Sequence, residues 1–253
     1  MIVLDRVSVA YNSGVPQMAL HPTTLAFQRG QFTVILGASG AGKSTLLKVI
    51  NGLQHPCSGN LLVDGKKIED EAALRRHRRS TAMIFQQHQL IKRHTVLRNV
   101  LSGRLGYYST LRSLWPMRVN DRNMALECLH RVGLLDQALQ RVDHLSIGQQ
   151  QRVGIARALQ QQPCMLLADE PVSSLDPVIA EQIMQLLQKI CDEKKYGVVV
   201  SLHQPELARR YAQRIVGLVQ GRVVFDGHVG ALTEEVEKGI YSVAENSIIR
   251  ERH

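Results

Sequence analysis

Two stretches of this chain carry residues whose types and spacing suit phosphate chemistry. The first, Gly37-Ala38-Ser39-Gly40-Ala41-Gly42-Lys43-Ser44, fits G-x-x-x-x-G-K-[ST], a loop whose backbone N–H groups can ring a chain of phosphates. In that reading Lys43 reaches the β- and γ-phosphates of a nucleotide, and the Ser44 hydroxyl sits on Mg²⁺. The second, Met165-Leu166-Leu167-Ala168-Asp169-Glu170, is an apolar run ending in two acids. Asp169 is placed to hold a Mg²⁺ that bridges the β- and γ-phosphates. Glu170, one residue on, is free to face an attacking water as a general base. The glycine-rich loop with its flanks says nucleotide by itself, whereas the acidic strand end alone is a weak signal, because a strand followed by an acidic turn is common. Paired, they point to a site that binds a nucleotide and hydrolyses it.

Such residues act only if strands and helices hold them. Phe32-Thr33-Val34-Ile35-Leu36 leads into the glycine-rich loop as a strand, and Thr45 to Ile50 leads out with helix formers. That order sets the positive end of a helix dipole against the anion. Asp169 falls at the carboxyl end of a buried strand, the side on which open α/β sheets bind ligands. Val198 to Leu202 reads as another buried strand, and Ile179, Ile183, Leu186, Leu187 and Ile190 share one helix face. Ile2 to Tyr11 alternates as a strand, Asn12-Ser13-Gly14-Val15-Pro16 turns the chain, and Leu20 to Phe27 is a further apolar stretch ending at Arg29-Gly30. Asn60 to Val63 is a strand, and Ile215 to Val219 pairs with Arg222 to Phe225 across Gln220-Gly221. From Gln86 to about Gln162 the pattern is mostly helical, with apolar spacings of three and four over Val96 to Leu101 and Met124 to Val132. The sum is a parallel α/β core interrupted by a helical subdomain.

Bulk properties bound the class of protein. A chain of 253 residues with 44% hydrophobic and 21% charged content is ordinary for a globular protein able to bury a core. It has no apolar run long enough to span a bilayer, and Met1 to Arg6 lacks a signal-peptide layout. The cysteines Cys57, Cys128, Cys164 and Cys191 are scattered, which favours reduced cytosolic thiols over a metal site or disulfide framework. The net charge of +9 fits nucleic acid, an anionic membrane surface or simply a solvated basic face. The run Arg75-Arg76-His77-Arg78-Arg79 has no interleaved aromatic residues to stack bases, and it reads as a solvated helix end. Gly106 to Met117 concentrates Tyr107, Tyr108 and the single Trp115. It reads either as an insertion that meets a partner or as local packing over the helices.

One further stretch brings a family resemblance. Leu145-Ser146-Ile147-Gly148-Gln149-Gln150-Gln151-Arg152, upstream of the Asp–Glu pair, resembles the signature of ATP-binding cassette ATPases, usually L-S-G-G-Q. Other elements of that family match in order from Ile2 to about Gly227. Tyr11 resembles the aromatic residue that stacks on adenine. Gln86, after Phe85, resembles the glutamine that senses Mg²⁺ and water. Ser174-Leu175-Asp176 resembles the family's D-loop, and His203 the switch histidine that contacts the γ-phosphate. The signature opens a helix expected over Gln149 to Leu159. Ile147 replaces the first glycine of the usual pair, and a β-branched residue resists positive φ.

The resemblance implies an α/β nucleotide-binding domain with a RecA-like parallel core, an antiparallel β subdomain and an inserted helical subdomain. Its division would be a single domain over 1–253: core and β subdomain in 1–86 and 160–230, helical signature subdomain in 87–159, and a tail in 231–253. ATP and Mg²⁺ are the implied ligands. Gly37, Ser39, Gly40, Ala41, Gly42, Lys43, Ser44 and Thr45 would cradle phosphate, with Tyr11 on adenine. Ser44, Gln86 and Asp169 would face the metal, while Glu170, His203, Lys43 and Gln86 serve catalysis. Ser146, Gly148, Gln149 and Asp176 would complete the site of a second copy, so that a homodimer sandwiches two ATP molecules. A lone cassette without a membrane span implies a separate permease dimer, a periplasmic binding protein acting indirectly, no nucleic acid, and a place on the cytoplasmic face of the inner membrane. Asn99 to Gly106, followed by Ser109 to Trp115, resembles the ATPase subunits of phosphonate importers, as does Ser201-Leu202-His203-Gln204 where most cassettes have T-H-D. Relatives of that group import phosphite or hypophosphite. An importer of another solute and a soluble phosphonate-degrading complex are the alternatives.

Overall fold

The computed structural model describes residues 1–13, 15–86, 89–109 and 117–241. Most of the aromatic segment, Trp115 included, and the tail beyond Tyr241 lie outside them. Two sheets organise the chain. β1 (Ile2–Ser13), β2 (Val15–Phe27), β4 (Ser58–Val63) and β5 (Lys66–Lys67) form an antiparallel sheet in the order β2-β1-β4-β5. The other sheet has the order β10-β9-β3-β8-β7-β6, built from β3 (Phe32–Leu36), β6 (Thr81–Ile84), β7 (Met165–Asp169), β8 (Gly197–Leu202), β9 (Arg214–Val219) and β10 (Arg222–His228). Every pairing in it is parallel except that of β10 with β9.

The parallel strands are apolar throughout because both sheet faces are covered. Along β3, Phe32, Val34 and Leu36 point into one cluster and Ile35 into another. The first cluster packs under α3 (Val96–Leu101), α4 (Val119–Arg131), α5 (Ile147–Gln160) and α6 (Pro177–Lys194). The second encloses α1 (Lys43–Asn51) between the two sheets, with Leu46, Leu47 and Ile50 against Leu4, Val7 and Leu20. One sheet thus serves two cores, and its edge is fixed from both sides.

That edge matters for chemistry. Parallel register pairs Leu36 with Leu202, Asp169 with Ser201 and Ile84 with Ala168. The residues that follow each strand, Gly37, Gln86, Glu170 and His203, therefore emerge along one carboxyl edge, where ligands bind in such sheets.

Three expectations need correction. The chain does reverse within Asn12 to Pro16, but the reversal is narrower than that span: β1 and β2 run on, with Asn12 opposite Pro16 and Ser13 opposite Val15, and Gly14 lies outside the described residues. The signature helix starts at Ile147, two residues before Gln149, because Ser146 and Gln149 form a reciprocal capping box. The basic run closes α2 (Glu71–Ser80) and is not simply solvated. Arg75 and Arg76 are exposed, but His77 is buried, Arg78 donates to the Gly52 carbonyl at 2.6 Å, and Arg79 donates to that of Gly106 at 2.7 Å.

The described start of the aromatic segment packs locally. The Tyr107 ring lies under the guanidiniums of Arg104 and Arg79, at 4.0 and 5.4 Å from their carbons, a cation–π stack. Its hydroxyl donates to the Gln161 carbonyl at 2.8 Å. Tyr108 donates to buried Asp121, which pairs with Arg104 at 3.3 Å. Tyr107 thus ties α2 to the end of α5, and Tyr108 ties the segment to α4.

Candidate functional site

The glycine-rich loop delivers α1 without a cap. Gly42 sits at the N-cap with φ 101° and no side chain closes the first turn, which carries no acidic residue. Its orphan amides are left for an anion. Only glycine suits this position, since φ is left-handed and a Cβ would meet the Ala19 carbonyl oxygen at 2.6 Å. A cleft of about 440 Å³ opens at this point, lined by Tyr11, Ser39 to Thr45, Gln86 and Glu170 together with Gln17 to Ala19 from β2. The Tyr11 ring stands at its margin, 42% exposed, with its hydroxyl 3.3 Å from that of Thr45. A flat, half-open aromatic face is what a planar base needs for stacking.

Charge in the cleft is concentrated around Lys43. Its ammonium is buried and donates to the carbonyls of Gly37 and Ala38 at 2.8 and 3.0 Å. It stands 3.8 Å from a Glu170 carboxylate oxygen and 3.3 Å from His203 Nδ1. Burial lowers the Lys43 pKa below the ordinary lysine value, opposed by the charges of Glu170 and Asp169. Glu170 and Asp169 supply its counter-charge here, and a polyphosphate would add to it.

Asp169 and Glu170 face different tasks. Asp169 Oδ1 accepts from Ser44 Oγ at 2.9 Å and from Ser201 Oγ at 2.9 Å. A hydroxyl and a carboxylate side by side are hard oxygen donors of the kind Mg²⁺ takes, and the pair fits that ion. Glu170 is turned the other way by its backbone, whose φ of 47° is left-handed and costs a non-glycine residue roughly 1–2 kcal/mol. Its carboxylate accepts from Gln86 Nε2 at 3.0 Å and is hydrogen-bonded to His203 Nε2.

Ser201 was not legible as a site residue. Its hydroxyl donates to Asp169 and accepts the Glu170 amide at 2.9 Å, so one buried side chain holds the Asp169 carboxylate and the Glu170 backbone. The only hint in sequence is a lone polar residue inside the run Val198-Val199-Val200-Ser201-Leu202.

The structure brings together Tyr11, the loop from Ser39 to Thr45, Gln86, Asp169, Glu170 and His203. Ser146, Gly148, Gln149 and Asp176 are not among the residues lining this cleft. Ser146 and Gln149 cap α5. Gly148 packs so close to α6 that a Cβ would meet Ile179 Cγ2 at 2.7 Å. Asp176 caps α6, accepting the amides of Val178 and Ile179 at 3.1 and 3.0 Å. Ile147 is an ordinary first-turn residue, 55% exposed and without positive φ. The missing glycine therefore brings no backbone strain.

Comparison with known proteins agrees with this geometry. A family model described as ABC transporter matches residues 20–173. The chain is 55% identical to Phosphonates import ATP-binding protein PhnC 3 of Nostoc sp. over 247 residues, covering 97% of this chain and 94% of the relative. It is 54% identical to Phosphite import ATP-binding protein PxtA of Stutzerimonas stutzeri, covering 94% of this chain and 86% of the relative. Among solved structures, a dimeric ATP-binding cassette bound to ADP and Pi in a post-hydrolysis state superposes with TM-score 0.80 at 37% identity, covering 90% of this chain and 99% of the other. With sheet order, cleft and sequence in agreement, the chain belongs to the ABC transporter family and is one of its ATPase subunits.

Proposed function

We propose that this ATPase energises uptake of a phosphorus oxyanion, phosphonate or phosphite, through a separate membrane permease. The observation that carries the substrate class is the level of identity, 55% and 54% over nearly the whole chain, to relatives named for phosphonate and phosphite import. Among the described residues no helix is long and apolar enough to cross a membrane, so the pore falls to a partner chain. The chain would dock on the cytoplasmic face of the inner membrane as a homodimer.

Each residue has a role in this reading. Tyr11 stacks on adenine, and the loop amides with Lys43 hold the phosphates. Ser44 and Asp169, with Gln86 nearby, would hold Mg²⁺. When bound, the ion would neutralise charge on the β- and γ-phosphate oxygens. Glu170 takes the proton of the attacking water, and His203 contacts the γ-phosphate. Ser146, exposed at the start of α5 away from the chain's own cleft, and Gly148, buried beside it against Ile179, are disposed to cap a nucleotide on a second copy, with Gln149 and Asp176 beside that contact. The dimeric state of the solved ADP-bound cassette supports that disposition.

Uptake of labelled phosphonate and phosphite in cells deleted for this chain tests the proposal. Wild type restores uptake of one anion and Glu170→Gln restores neither. Intact ATP hydrolysis in vitro with no change in either uptake overturns the substrate class and leaves the ATPase standing.

Ser201→Ala tests how the acids are held. Loss of the hydroxyl removes one donor from Asp169 and leaves the part-buried Glu170 amide without its partner, at a cost of about 1–3 kcal/mol. ATP hydrolysis falls roughly tenfold, and half-maximal activity needs more Mg²⁺. A titration of rate against Mg²⁺ that overlays wild type removes Ser201 from the site.

A further inference from the structure

The end of the described chain touches the hydrolytic edge. Residues 234–241 are helical, and the Tyr241 hydroxyl donates to the His203 backbone carbonyl at 3.1 Å. That carbonyl lies between β8 and α7 (Pro205–Tyr211), where Pro205 has no amide hydrogen to give.

The helix that presents Tyr241 is itself anchored at two points. Ile240 is 1% exposed and packs on Gly217 of β9, where a Cβ would come within 2.6 Å of its Cδ1. Arg209 of α7 donates to the Leu232 carbonyl and to Glu237, each at 2.7 Å. Position is thus transmitted from β9 and α7 to the phenol, and from the phenol to the switch loop.

Burial, with Glu237 and Glu206 adding repulsion, raises the Tyr241 pKa to about 12, while a backbone contact with Gly37 opposes the rise. The hydroxyl keeps its proton near neutrality and remains a donor.

We propose that Tyr241 is a positioning residue for ATP hydrolysis: its hydroxyl fixes the His203 backbone, and so sets where the imidazole stands against Lys43 and Glu170. The inference rests on the reading of His203 as the γ-phosphate contact. It assigns the C-terminal helix a function that the sequence patterns of the family site do not carry.

Tyr241→Phe in the full-length chain removes the hydroxyl and keeps the ring. The expected result is a fall in kcat for ATP hydrolysis of roughly fivefold, the scale of one hydrogen bond, with KM for ATP and the thermal midpoint nearly unchanged. Placed on His203→Ala, the same substitution costs nothing further, because the group it positions is gone. Hydrogen exchange over residues 200–206 speeds up in Tyr241→Phe. An unchanged kcat with unchanged exchange overturns the proposal, as does a loss that adds in full to that of His203→Ala. If His203→Ala itself hydrolyses ATP normally while Tyr241→Phe speeds exchange and slows turnover, the tether stands and the histidine's assigned role falls.

Discussion

Glu170→Gln slows steady-state ATP hydrolysis by roughly 10²–10⁴-fold, the usual contribution of a positioned general base, while ATP still binds. The substitution keeps shape and removes only the carboxylate's ability to take a proton. That carboxylate is engaged by Gln86, His203 and Lys43, and it lines the cleft that the γ-phosphate must enter. Neutralising it removes like-charge repulsion with the incoming phosphate, so ATP affinity rises or stays level while turnover collapses. Opposite movement of the two quantities distinguishes a lost base from a damaged pocket, which would weaken both. Equilibrium binding of ATP and single-turnover phosphate release measure them separately. With ATP the variant also accumulates as a closed dimer, visible by light scattering. A single-turnover rate within tenfold of wild type would mean that another group takes the proton.

The parts of this site that were legible in sequence are those whose chemistry is local. The loop Gly37 to Ser44 declares itself because close approach to phosphate and the φ of 101° at Gly42 demand glycine at fixed spacing. Asp169 and Glu170 declare themselves because two acids end an apolar strand. The start of the signature helix could have been read more closely, since Ser146 followed three residues later by Gln149 is a capping-box spacing.

What was not legible depends on register and on distant packing. Ser201 acquires a role only because parallel pairing sets it opposite Asp169. Tyr241 lies 38 residues from His203 in a tail without motif. Arg78 and Arg79 look like free surface charge until Gly52 and Gly106 present carbonyls to them. A polar residue becomes interpretable once its partner is known, and the partner is a tertiary fact.

Lys43→Met separates what the cation does for the fold from what it does for the ligand. The ammonium is buried and its pKa is lowered by desolvation, so the folded state binds that proton less tightly than the unfolded chain. The charged lysine therefore opposes folding at neutral pH, and the penalty fades as pH rises towards 10.5, the ordinary lysine value. Methionine fills a similar volume without charge, which lifts the desolvation penalty, while the buried Gly37 carbonyl and the part-buried Ala38 carbonyl lose their donor. The two effects offset, so the nucleotide-free variant stays close to wild type in stability, and the gain from the lost charge shrinks in alkaline buffer. ATP affinity, by contrast, falls. Without Lys43 the phosphates lose the one buried cation among the residues that line the cleft, a truncation worth about 2–5 kcal/mol, or roughly 30- to 5,000-fold in affinity. Thermal unfolding with and without ATP reads both effects in one experiment: the melting temperature without ATP stays close to that of wild type, and the rise on adding ATP disappears. A variant that melts lower when empty yet keeps the full nucleotide-induced rise would place Lys43 in the scaffold and take it out of the phosphate site.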